Sequence, residues 1–368
     1  MDPASGGAGA ELGDGAAEWR TRAPGGTEYS WCRAVPGGTG TTLLALRLSS
    51  GAAAAAQDAL RSLQNAHPAL RARLRTAPSG PTLAFPSAAP PPPPLLPLEP
   101  LPAPESAPDF DVLLEHELNR NLWAGPESSD DAPVLFATLY ELPPATGGAA
   151  LFVRIHTVAC DRSAANALAR ELVALLGGGE ERAPEDAAAE AALEERIPQR
   201  DTWKPFWARG LDMVGYSING LRTSTLPFVE TGTARSTQML RLELGRDETT
   251  RLLDVSVQGE RGEALLRHGR RDDAGRTALV SVFEEPVVAD MPELQLQSKA
   301  GVEDCVCCAT VHGIGPSIGV FDSIRDGRLE WACMYPSPLH SRKQIQEVFD
   351  KVKQILQQAT DENFEDCS

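Results

Sequence analysis

Val153-Arg154-Ile155-His156-Thr157-Val158-Ala159-Cys160-Asp161-Arg162 is the stretch from which the fold can be read. Residues Ala149 to Ile155, leading into it, are small, apolar and β-branched, the composition of a buried strand. Beyond it, Ala164, Leu168, Leu172 and Leu175 recur on one helical face. The glycines at 177, 178 and 179 stop that helix. The element is strand, polar turn, helix. His156, Cys160 and Asp161 fall in the turn, where side chains are presented on a rigid frame.

Composition sets the outer bounds. The chain has 368 residues, enough for two subdomains and a sizeable core. Its 34 Lys and Arg against 51 Asp and Glu give a formal charge of −17, which disfavours a nucleic-acid partner because phosphate contacts need clustered cations. No apolar run approaches the ~20 residues of a membrane span, and the N-terminus lacks a signal-peptide core, so no membrane partner is expected. The seven cysteines are odd in number and unevenly spread. They suit reduced thiols in the cytoplasm better than a disulfide framework.

Residues 1–20 are Gly-, Ala- and acid-rich and read as a disordered tail. Thr41 to Leu48 reads as a strand, and Ala52 to Leu74 as a helix broken or bent near His67-Pro68, or else with Pro68 as the first residue of a new helical turn. Pro78 to Pro108, with five consecutive prolines at 90–94, reads as an exposed loop or polyproline spacer through which no core strand runs. A helix over Phe110 to Leu122 and a strand over Val134 to Leu142 lead back to the motif strand. The acidic, Ala-rich stretch Glu180 to Glu195 reads as a linker. Trp203 to Trp207 opens a second unit that includes strands over Thr237 to Leu244, Thr277 to Phe283 and Asp304 to Val311. Asp247 to Leu253 starts a helix. Gln258 to Arg276 carries almost no apolar periodicity.

In this order the segments resemble the condensation domains of nonribosomal peptide synthesis. Strand, His-His-x-x-x-Asp-Gly, helix is their signature. Alcohol acetyltransferases and the plant His-x-x-x-Asp acyltransferases share their superfamily. Aligned on that signature, His156 takes the first His, Thr157 the second, Asp161 the Asp and Arg162 the Gly. Thr27 to Trp31 before the strand at Thr41 resembles the family's opening strand, and Leu60 to Leu74 its His-Pro-x-Leu-Arg helix. Ser317 to Asp322 with Asp326 to Tyr335 resembles its late hairpin, and Ser341 to Leu356 its last helix.

The resemblance implies an α/β, two-layer, chloramphenicol-acetyltransferase-like fold of two subdomains. These are residues 21–180, and residues 201–368 joined through a linker at 181–200. The second is expected to be shortened, because the degraded pattern at 258–276 replaces elements that include the segment crossing back to the first. The resemblance also implies transfer of an acyl group from a thioester, on coenzyme A or a carrier protein, to a small-molecule hydroxyl or amine, with no bound cofactor. The site centres on His156 and Asp161, with Thr157 in the position of the family's catalytic base. A Thr hydroxyl does not accept a proton at neutral pH as imidazole does. The competing reading is a non-catalytic protein that keeps the fold for binding.

Each candidate has a plainer alternative. His156 acts as base or positions substrate, or else it bonds backbone at the strand end. Asp161 is expected to hold the turn through an ion pair, with Arg162 or a more distant Arg. Cys160 beside Asp161 reads as a small buried residue, since a neighbouring carboxylate raises a thiol pKa. Gly315-Pro316-Ser317-Ile318-Gly319 matches the hydrolase elbow, with Asp322 or Asp326 and then His340 following in hydrolase order, but Ile318 to Phe321 reads as strand where an elbow needs helix. Cys305, Cys308 and His312 have a metal-like spacing, yet their alternation fits a buried strand, and no metal is expected. Pro36 to Thr41 has a phosphate-loop look but lacks the Lys and precedes a strand.

Overall fold

The computed structural model describes residues 19–38, 40–86, 95–96, 109–124, 128–142, 148–184, 191–196, 236–245, 247–248, 300–310, 318–325 and 328–365. In chain order the elements are β1 (Trp19–Arg22), α1 (Gly26–Ala34), β2 (Thr41–Leu48), α2 (Ser50–Ala66), β3 (Arg73–Ala77), β4 (Gly80–Pro86), β5 (Leu95–Leu96) and α3 (Phe110–Asn119). Next come β6 (Asp131–Pro133), β7 (Leu135–Glu141), β8 (Ala149–His156), α4 (Arg162–Leu176) and the single turn α5 (Leu193–Arg196). Last are β9 (Ser236–Leu244), β10 (Val302–Ala309), β11 (Gly319–Arg325), β12 (Arg328–Ser337) and α6 (Arg342–Glu365).

Among the described residues the strands form three sheets, ordered β10-β2-β8-β7-β5, β1-β4-β3-β6 and β11-β12-β9. In the first, β8 pairs antiparallel with β2 from Thr41 opposite His156 to Leu48 opposite Ala149. Every residue of β8 is buried. The reason is that both faces of this sheet are covered, which demands a continuous apolar run instead of alternation. One face packs Leu44, Leu46, Leu151, Val153 and Ile155 against α2 and α4. The other packs Leu43, Phe152 and Val306 against α3 and against Met239 and Met334 of the third sheet.

Two charged clusters fasten that second face. Arg154 and Glu117 are both fully buried, with Nε 3.0 Å from the carboxylate in a charge contact that is not aligned as a hydrogen bond. Thr138 Oγ1 accepts from Arg154 at 3.2 Å, and the Tyr140 hydroxyl donates to Glu117. Nearby, Arg241 of β9 reaches Asp304 of β10 at 2.8 Å, and Asp111 of α3 and Glu330 of β12 each at 3.2 Å. Burial disfavours the Arg241 charge, but Asp304, Asp111 and Glu330 outweigh it and raise the guanidinium pKa. One cation thus ties four elements together.

Four expectations are corrected. The strand Val302–Ala309 lies in the same sheet as β2, with Cys307 opposite Leu44 and Cys308 opposite Leu43, so the segment that crosses back to the first half is present. Gly80–Pro86 is a strand despite the surrounding prolines, because Pro81 and Pro86 sit near its ends and Thr82 to Phe85 keep their N–H donors. Thr27 to Trp31 is helical, since Glu28 at the third helical position accepts the Gly25 N–H at 2.8 Å and caps the first turn. The helix does not run on to Leu74: α2 ends at Ala66, Pro68 opens a short 3-10 turn, Pro68–Arg71, as the alternative reading of it as the first residue of a new helical turn had it, and the chain then becomes β3. The expected strand at Thr277 to Phe283 and the weakly patterned stretch 258–276 lie outside the described residues.

Candidate functional site

The motif turn is set by two anchors. At its start, Thr157 donates both its N–H, at 3.0 Å, and its hydroxyl to the carbonyl of Gly40. Gly40 holds φ at +78°, and a Cβ there would come within 2.6 Å of the Trp31 ring, so the glycine is required both by its backbone and by this close approach. The Gly-rich stretch before β2 is therefore a structural turn that receives the motif. At the other end, Asp161 is the N-cap of α4: its Oδ1 accepts the Ala164 N–H at 2.8 Å.

The side chain of Arg162 falls outside the described set, and with it the expected ion pair; the cap is an additional role. The helix N-terminus favours the negative charge of Asp161 through its N–H groups and its dipole.

His156 and Thr157 part company at the strand end. Side-chain alternation along β8 places His156 with Phe152 and Arg154, on the α3 face. It is fully buried there, edge-on to Trp123 with ring centroids 5.4 Å apart. Its Nδ1 accepts the Val158 N–H at 3.1 Å, and Nε2 meets no hydrogen-bonding group among the described residues. Burial lowers its pKa to about 4, so the ring is neutral at pH 7.

Thr157 through Asp161 instead line a cavity of about 430 Å³. Its other walls include Thr27, Glu28 and Trp31 of α1, Leu83 and Phe85 of β4, Val134, and Ala164 on the first turn of α4. The lining is mostly apolar. Its titratable groups are Arg22, Glu28, Cys160 and Asp161. Arg22 grips Glu28 through two hydrogen bonds of 2.6 and 2.8 Å. Burial pushes the Glu28 carboxyl up, but Arg22 and the Gly25 N–H prevail and hold it below its ordinary value. Burial, with Cys307 and Asp161 nearby, pushes the Cys160 thiol well above its ordinary value. The expectation of an inert Cys160 agrees with this.

The remaining candidates separate in space. Cys305 packs on the α2/α4 face of the central sheet and Cys308 on the opposite face, so the two cannot share a metal ion; His312 lies outside the described residues. The residues after Ser317 enter strand β11, not a helix, and His340 instead bonds Gln344 at 3.3 Å at the start of α6. Sequence reasoning missed Arg22 and Glu28. Their signal was the Glu three positions after Gly25, a capping pattern that also marks a helix start.

No protein-family model and no curated protein matches the chain. Solved structures do. The first condensation domain of the calcium-dependent antibiotic synthetase, in complex with a substrate analogue, superposes with a TM-score of 0.62 at 14% identity, over 92% of this chain and 97% of that one. TRI3 trichothecene 15-O-acetyltransferase from Fusarium sporotrichioides gives 0.54 at 10% identity, over 92% and 95%. The epimerization domain from the third module of tyrocidine synthetase B gives 0.52 at 13%, over 94% and 97%. The chain has the mixed α/β, chloramphenicol-acetyltransferase-like fold of these proteins. Among the described residues no helix is long and apolar enough to cross a membrane.

Proposed function

We propose that this chain is a condensation-fold protein that binds an acyl-type ligand in the cavity beside Thr157 and does not transfer it. The observation that carries the reading is the divergence of the two motif side chains. Thr157 stands in the cavity, in the position of the family's base, with its hydroxyl given to Gly40. His156 lies on the opposite side of the sheet, is fully buried, and bonds Val158. A general base must come within hydrogen-bond reach of the proton it removes, directly or through one water. Glu28 is held by Arg22 and Asp161 by the α4 N-terminus, so neither supplies that base.

The apolar walls formed by Leu83, Phe85, Val134 and Val158 favour an aliphatic or aromatic acyl group over a polar ligand. Acyl transfer from a coenzyme A or carrier-protein thioester to a hydroxyl or amine is the alternative use of the same cavity. Calorimetric titration with octanoyl-pantetheine tests the binding reading. Native protein is expected to bind the thioester and leave it intact, and Ala164→Trp, which fills the cavity, is expected to abolish binding. No binding by native protein, or equal binding by Ala164→Trp, would overturn the proposal.

A further inference from the structure

The segment 191–196 reaches the cavity from far along the chain. Ala191 forms part of its wall, and Ala192 beside it is buried. Two residues on, Glu194 of α5 places its carboxylate on the first turn of α1, where Oε1 accepts the Thr27 N–H at 2.6 Å. Thr27 itself lines the cavity. The backbone N–H of Thr27 is the main reason the Glu194 carboxyl pKa is held below its ordinary value, with its hydroxyl and the Arg22 charge adding to the effect.

The fit is close. A Cβ on Gly25 would lie 1.9 Å from Glu194 Oε2 and 3.0 Å from the Ala192 Cβ. Gly25 has an ordinary extended conformation, with φ −67° and ψ 176°. Its backbone geometry does not call for glycine; the approach of Ala192 and Glu194 does. The rest of this wall of the cavity is fixed by the sheets and by α4. Among the described side chains, the strap is attached through the exposed Glu194 carboxylate and the buried Ala192.

We infer that residues 191–196 are a strap latching one wall of the cavity, and that the bond from Thr27 to Glu194 sets how often the cavity opens. As a control on ligand entry this rests on the reading of the cavity as the binding site. A segment fastened through a surface capping contact opens locally without unfolding the domain. Losing such a cap changes an opening equilibrium by roughly three- to tenfold.

Thiol labelling tests the latch with no ligand present, so its outcome is independent of whether an acyl group binds. Cys160 lines the cavity, whereas Cys333 is buried in the third sheet, packed against Tyr335 and Phe349. The full-length chain is pulsed with N-ethylmaleimide, and each cysteine is followed by peptide mass spectrometry. In Glu194→Ala, Cys160 is expected to label roughly three- to tenfold faster than in native protein while Cys333 keeps its native rate. Gly25→Ala, which pushes the carboxylate aside without removing it, is expected to do the same. An unchanged Cys160 rate in both variants would overturn the latch. Cys160 and Cys333 accelerating together would also overturn it, because the contact would then stabilise the whole fold and not a local opening.

Discussion

Replacing Asp161 separates a capping role from an ion pair. The side chain is exposed, and it accepts one N–H, from Ala164 at 2.8 Å, on the first turn of a helix whose Ala165, Leu168 and Leu172 enter the core. Removing an N-cap acceptor costs ~1 kcal/mol, within a range of about 0.5–2. Breaking a buried ion pair costs ~3–5 kcal/mol. At ~2–4 °C per kcal/mol for a chain of this class, Asp161→Ala is expected to lower Tm by only a few degrees. The decisive comparison is Asp161→Asn. Asparagine is as good a cap as aspartate but carries no charge. A cap therefore predicts that Asn recovers most of the stability that Ala loses, as measured by thermal unfolding at one pH and ionic strength. Equal losses in the Asn and Ala variants, or a loss beyond ~3 kcal/mol in either, would show that Asp161 serves through its charge and that the cap is incidental.

Three further outcomes are expected. Because the folded pKa of His156 is about 4 against an ordinary ~6.5, the unfolded chain takes up a proton first as pH falls. Its contribution is thus fully present above pH ~6.5 and is lost on the way down to about 4, by ~3 kcal/mol in all; His156→Gln should flatten denaturant-derived stability across that window, and an unflattened slope would mean the ring protonates freely in the fold. Arg154→Met should destabilise by ~3–5 kcal/mol by stranding the Glu117 carboxylate, while Arg154→Met with Glu117→Leu should recover most of the loss; strictly additive losses in urea titrations would deny the coupling. Thr157→His puts an imidazole on the cavity wall and is expected to raise thiol release from an acyl thioester by ~10²–10⁴ over native protein, with no gain arguing that the acceptor has no place in the cavity.

The motif unit was legible because its signals are local. An unbroken apolar run, a polar turn and three glycines read as strand, turn and helix, and β8 and α4 have nearly those bounds. The burial of β8 on both faces was visible in the same run. Long-range partners were not. Nothing local in Val302–Ala309 states that it pairs with β2, some 260 residues earlier, in place of the third sheet. Gly80–Pro86 was hidden by its prolines, and α1 by Tyr29 and Trp31, whose strand preference loses to the Glu28 cap. The spacing of Cys305 and Cys308 suggested a shared ligand, but an odd separation along a strand puts them on opposite faces. At the site, the Thr157 substitution could be read directly. The orientation of His156 required the parity of the strand, with Phe152 and Arg154 marking its face. The N-cap role of Asp161 followed from its place directly before an apolar helical pattern, a signal overshadowed by the ion pair that the family resemblance implied.

The proposal that the cavity binds an acyl group without transferring it rests on its described lining, in which Thr157 stands where the family's base would be. The most direct measurement is release of free thiol from acetyl-coenzyme A by purified native protein, across a panel of alcohols and amines. Release at the uncatalysed rate is expected for every acceptor, with His156→Ala indistinguishable from native protein. Robust turnover by the native chain that His156→Ala abolishes would contradict it, and would make the buried imidazole the base after all.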